Sequence, residues 1–204
     1  MNFKVLCPSR LHVPILGLAL AVSGFTYAQA DATQSGATTT PGQLQTTPTP
    51  AATVSDAQIV GVLEAANQGE IDQAKVAQKS GKAKPVKDFA KMMIGEHGKV
   101  LKEVKALSAK AKLKPADSDA KTALVTAKDQ GLTRLKALKG SEFDKAYATE
   151  QVTMHQGLLD TIDSTLMPNA QHPELKAMIE KIRPSIASHL DQAKALQTSL
   201  GSQM

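Results

Sequence analysis

The chain has 204 residues, 42% of apolar types, 21% charged and 3% aromatic, with no tryptophan. That is a globular composition for one domain of ordinary size or two small ones, and it excludes a wholly disordered chain. So few aromatics argue against a stacking surface for single-stranded nucleic acid, and the formal charge of 24 − 19 = +5 is spread along the chain rather than massed into a nucleic-acid footprint.

Residues 1–30 read as a secretory signal peptide. Lys4 and Arg10 give a positive start, Leu11 to Phe25 an apolar stretch, and Ala28-Gln29-Ala30 the small-x-small pattern of a cleavage site. The apolar run is interrupted by His12 and Pro14 and falls short of the roughly 18–20 residues of a membrane span. Cleavage after Ala30 places Asp31 at the mature N-terminus and leaves 204 − 30 = 174 residues with a charge of 22 − 19 = +3. It also removes Cys7, the only cysteine, so the mature chain offers neither disulfide nor thiolate chemistry. The expectation is an exported protein with no integral membrane segment after cleavage.

Residues 31–53 hold eight Thr and three Pro and no charge beyond Asp31, the composition of a flexible linker. A helical domain is expected over 54–200. Ser55 and Gln58 have capping-box spacing and open a first helix that runs to about Lys79 and ends at Ser80-Gly81. Pro85 suits the first turn of a second, which continues to about Leu113. A shorter helix spans 118–138 and closes at Gly140. Ser141 and Asp144 have the spacing to open the next, which runs to about Leu166, just before Pro168. Pro173 and Glu174 open the last, ending near Gly201, with Pro184 predicting a kink inside it. No segment alternates like a half-buried strand. The fold class is all-α, four long helices and one short one, and the short connections favour antiparallel neighbours.

Each long helix carries an apolar stripe at spacings of three and four, and each stripe contains one candidate metal ligand. Glu70 follows Ile59, Leu63 and Ala66; His97 follows Ala90 and Met93; His155 follows Tyr147 and Gln151; His189 follows Ile182 and Ile186. The fourth mature histidine, His172, sits in a His-Pro turn. Height along the helices is a second criterion. Glu70 and His97 lie 10 and 12 residues from their shared turn, roughly 3 Å apart in level at 1.5 Å per residue. His155 and His189 lie 11 and 16 residues from theirs, a mismatch of roughly 8 Å. Three imidazoles and a carboxylate converging in a bundle make a transition-metal site, with Zn(II) the best fit and Cu or Fe behind it. Glu64 and Glu96 read as solvated, though Glu96 could support such a site from behind a ligand. Met93 and Met154 are available to copper but read more naturally as core fillers.

The run Phe89-Ala90-Lys91-Met92-Met93-Ile94-Gly95-Glu96-His97, the segment Leu138-Lys139-Gly140-Ser141-Glu142-Phe143-Asp144-Lys145-Ala146-Tyr147 and the late Ile182-Arg183-Pro184-Ser185-Ile186-Ala187-Ser188-His189-Leu190 resemble the bacterial domain of unknown function family 4142. The resemblance covers about residues 54–198. It implies a ferritin-like antiparallel bundle and export to the periplasm, peripheral to the outer membrane at most, and it supplies no reaction. It also implies that the family's motif histidines fall at His97, His155 and His189 and its first-helix glutamate at Glu70. A ferritin-type di-iron centre needs two Glu-x-x-His motifs. Here the residues three before the histidines are Ile94, Val152 and Ile186, which argues against iron storage.

The leading functional expectation is an exported bundle that binds a single transition-metal ion through Glu70, His97, His155 and His189. The alternative is a metal-free structural or stress-related binding module whose His/Glu network fixes core packing. An enzyme ranks third, because no Ser/His/Asp order, Gly-rich phosphate loop or HExxH signature is present. No residues are assigned to catalysis or to an organic cofactor, and the sequence singles out no protein partner.

Overall fold

The structure, a computed structural model, describes residues 53–202; the segment read as a signal peptide and all but the last residue of the linker lie outside the described residues. Helix α1 (Asp56–Ser80) starts on the expected capping box. Ser55 Oγ accepts from the Gln58 backbone N–H at 3.3 Å, and Gln58 Oε1 accepts from the Ser55 N–H at 3.0 Å. It stops at Gly81, where a Cβ would come within 2.7 Å of the Ala77 carbonyl oxygen and 2.9 Å of a Val86 methyl.

Helix α2 (Lys84–Ala111) has Pro85 in its first turn and no capping side chain of its own. Its cap comes from elsewhere in the chain. Asp144, 2% exposed, accepts from the backbone N–H groups of Lys82 at 2.8 Å and Ala83 at 2.7 Å. The sequence assigns Asp144 to the start of its own helix; the structure gives it to the α1–α2 turn, whose N–H donors have no helical partner. Helix α3 (Asp119–Ala137) is capped by Ser118 and buries only Gly131 and Leu135. The segment before it is tied to the start of α1, the Ala116 N–H donating to the Ala57 carbonyl at 2.9 Å.

Helix α4 (Gly140–Thr161) begins on Gly140 at φ 63°, a left-handed conformation that glycine adopts without penalty. It does not stop before Pro168. A π-helical segment, Ile162–Leu166, carries it into a last turn, α5 (Met167–Asn169). The Met167 N–H reaches five residues back to the Ile162 carbonyl. Pro168 has no N–H to offer, and a wider turn just ahead of it accommodates that loss. Helix α6 (Pro173–Gly201) runs unbroken through Pro184.

Hydrogen bonds and ion pairs fix the register between helices. From α2 to α6 the pairs are Lys110–Glu174, Glu103–Lys181 and Glu96–His189. From the α4 rod to α6 they are Asp163–Arg183 and Thr149–Gln197. The interior divides into two apolar clusters. One gathers Ile59, Leu63, Val104, Leu158, Ile162, Leu175 and Ile179, and the other Phe89, Met93, Phe143, Tyr147, Ala193 and Leu196. In sequence, His97 falls between the residues that α2 gives to the two clusters, as Asn67 and Glu70 do in α1; His189 lies near the same crossover in α6, which comes after Leu190. All the described elements are helical, and none of those helices is long and apolar enough to cross a membrane.

Candidate metal centre

Three of the four ligand candidates come together. His97 from α2, His155 from α4 and His189 from α6 are 4%, 0% and 3% exposed. One nitrogen from each ring lies within 4.8 Å of those of the other two. The ring centroids are 5.8 Å apart for His97–His155, 5.1 Å for His97–His189 and 5.5 Å for His155–His189. The approach of His155 to His189 resolves the height mismatch read from the sequence. With the α4 rod continuing to Asn169, His155 lies 14 residues from that end against 16 for His189 from Pro173, a difference of roughly 3 Å.

Each imidazole is held by one nitrogen and free at the other. His97 Nδ1 lies 2.9 Å from Asn67 Oδ1, and Asn67 is itself oriented by donating its amide N–H to the Leu63 carbonyl at 2.7 Å. His155 Nδ1 donates to the Gln151 backbone carbonyl at 2.9 Å. His189 Nε2 donates to Glu96 Oε2 at 2.7 Å. Because each partner is an acceptor, the hydrogen-bonded nitrogen carries the proton. The remaining nitrogens, His97 Nε2, His155 Nε2 and His189 Nδ1, are buried lone pairs without a partner. An N–H bound to an acceptor with the opposite lone pair free is how a metal-ligating histidine is oriented.

Electrostatics favour the neutral, ligating form. Burial, then the neighbouring His155 and His189 rings, hold His97 well below the ordinary imidazole range. Burial lowers His155 to about 4 against its bond to the Gln151 carbonyl. Unprotonated imidazole is the form that binds a metal.

Glu70 stands apart from the three nitrogens. It is 2% exposed, and its Oε1 lies 3.7 Å from His155 Nδ1, the bonded edge of that ring rather than the free one. Burial pushes its carboxyl up to about 7, against the opposing pull of the Gln151 side-chain amide and His189, and its Oε2 has no partner. The nitrogens that lie within 4.8 Å of one another are therefore those of the three histidines, without Glu70. His172 is not part of it; it caps α6, its backbone N–H donating to Asp56 at 3.0 Å. Met93 lies in the apolar cluster beside Phe89 and Tyr147.

Two supporting side chains carry different amounts of sequence signal. Glu96, beside His97, turns to the α6 histidine rather than to its neighbour in sequence. Asn67 follows Leu63 by four and precedes Glu70 by three, which puts it on the buried face of α1. That spacing was the available signal for it.

Over residues 41–196 the chain matches the family described as Domain of unknown function (DUF4142), 156 of its 204 residues. The match begins inside the Thr/Pro-rich segment. No curated protein and no solved structure matches. The chain belongs to the DUF4142 family.

Proposed function

We propose that this protein binds one transition-metal ion at His97, His155 and His189, with Glu70 as an adjacent buried carboxylate. The observation that carries the reading is the set of three buried, unpartnered imidazole nitrogens, each on a ring whose other nitrogen is bonded to an acceptor. A buried polar atom without a partner costs about 1–3 kcal/mol. Three of them, on rings whose centroids lie 5.1–5.8 Å apart, are better accounted for by a shared cation than by packing alone. The donors are nitrogen only, which suits Zn(II), with Cu(II) and Fe(II) behind it.

The four long rods are, on this proposal, a ferritin-like antiparallel bundle with α3 crossing between its halves. The support is the register of the pairs, in which residue numbers rise along one helix as they fall along its neighbour: 96, 103 and 110 of α2 against 189, 181 and 174 of α6. Export to the periplasm is proposed from the sequence of residues 1–30, with 31–53 as a tether and 54–200 as the folded domain.

Elemental analysis of the purified protein tests the metal reading. Wild type is expected to carry close to one equivalent of metal, and His97→Ala to carry little. Equal metal in the two would favour a bundle whose buried histidines only specify helix register.

A further inference from the structure

A cavity of about 310 Å³ lies against the histidines in the seam between α2 and α6. His97 and His189 line it, whereas His155, with no exposure, does not. A cation held by all three rings would thus have His155 behind it and the cavity before it. Leu63, Val100, Leu158, Ile182 and Ile186 make the walls aliphatic. Charge is confined to Glu96, Lys99, Glu103 and Lys181, two of each sign. Glu103 is paired with Lys181 at 2.9 Å and Glu96 with His189 at 2.7 Å. Lys99 has no carboxylate within ion-pair distance among the described residues, and with neutral imidazoles the four lining charges sum to zero.

Resting on the metal reading above, we infer that this cavity is the binding site for a compact carboxylate with an apolar body. Three histidine ligands leave a fourth coordination position, and a carboxylate is an exchangeable donor that a divalent ion accepts there in place of water. The ion draws an anion inward past a lining whose own charges balance. The aliphatic walls then favour a hydrocarbon body over a polyhydroxylated one, whose hydroxyls would lose their water without gaining partners. The volume is at the low end for ligand pockets, which suits one ring or a short chain.

The test uses the full chain loaded with Co(II), whose visible absorption reports changes at the metal, and compares benzoate with acetate. The two share a donor group and differ in the body. Both are expected to shift the cobalt band, benzoate at a concentration at least tenfold lower. Ser185 is an exposed residue on the cavity wall. Ser185→Trp is expected to keep the cobalt band and lose the benzoate preference. A cobalt band that neither anion moves overturns the cavity assignment and leaves the metal centre standing. So does equal response to the two anions, or a preference that survives Ser185→Trp. No cobalt band with the ion in excess overturns the metal centre and the cavity assignment together.

Discussion

Leu63 and His97 share the interior of this protein at 1% and 4% exposure, yet they are held there by different terms. Leu63 belongs to an apolar cluster with Val104, Leu158, Ile162 and Ile179. Such a side chain is satisfied by whatever close-packed neighbour it meets, worth about 1.5–3 kcal/mol for full burial. His97 sits with His155 and His189, where burial is favourable only if both ring nitrogens find partners, and one nitrogen on each ring does not. The apolar cluster is therefore satisfied by its own packing, while the polar layer holds three buried imidazole nitrogens that its own side chains do not satisfy. Stability of the first should ignore metal; stability of the second should depend on it.

Changes in the apolar cluster carry the largest expected effect. Leu63→Ala should cost about 2–5 kcal/mol by denaturant titration, in the presence or absence of zinc. A loss that zinc reverses would mean the two regions are not separable. Next comes the metal-dependent gain. A ligand bound only by the folded state stabilises it by about 2.7 kcal/mol at one hundred times Kd, and His155→Ala should abolish that gain, as should His97→Ala and His189→Ala. Asn67→Leu probes the same layer one contact further out. It keeps the branched side-chain skeleton but frees the His97 ring, and metal affinity should fall about 10- to 100-fold by competition with a chelator.

The two regions also differ in their response to pH, because the polar layer titrates and the apolar cluster does not. Unfolded His97 and His155 take up protons as the pH falls through 6.5, while folded His97 stays well below that value and folded His155 waits until about 4. Glu70 acts the other way: its folded carboxyl keeps a proton up to about pH 7, where the unfolded one has lost it above 4.5. Two groups against one, the metal-free protein should lose stability as pH falls from about 6.5 toward 4.5. Above 6.5 Glu70 alone counts, so stability should decline again as pH rises through about 7. Thermal midpoints across that range in wild type and Glu70→Gln would check both limbs, since the variant should lose only the upper one. The smallest expected effect is at His172, which lies in neither region. His172→Ala should leave the metal-dependent gain unchanged.

Much of the fold is legible in local sequence. Ser55 and Gln58 fix the start of α1, Gly81 its end, and Pro85 and Pro173 the first turns of α2 and α6. The three histidines are legible for the same reason: spacing by three and four puts each on a buried stripe. What local sequence does not carry is anything settled between distant segments. Asp144 has the spacing of a local cap and serves another helix's N-terminus instead. Pro168 reads as a stop, yet a π turn carries the rod past it, and those extra residues bring His155 level with His189. Glu70 lies on the expected face but meets the bonded edge of His155, a detail of ring orientation that no spacing rule contains.

The most direct measurement is the thermal midpoint of the full chain as zinc or copper is titrated in at pH 7.5, with His155→Ala alongside. The midpoint is expected to climb with the logarithm of metal concentration in wild type and to stay flat in the variant. A wild-type midpoint unmoved by either metal would contradict the metal reading.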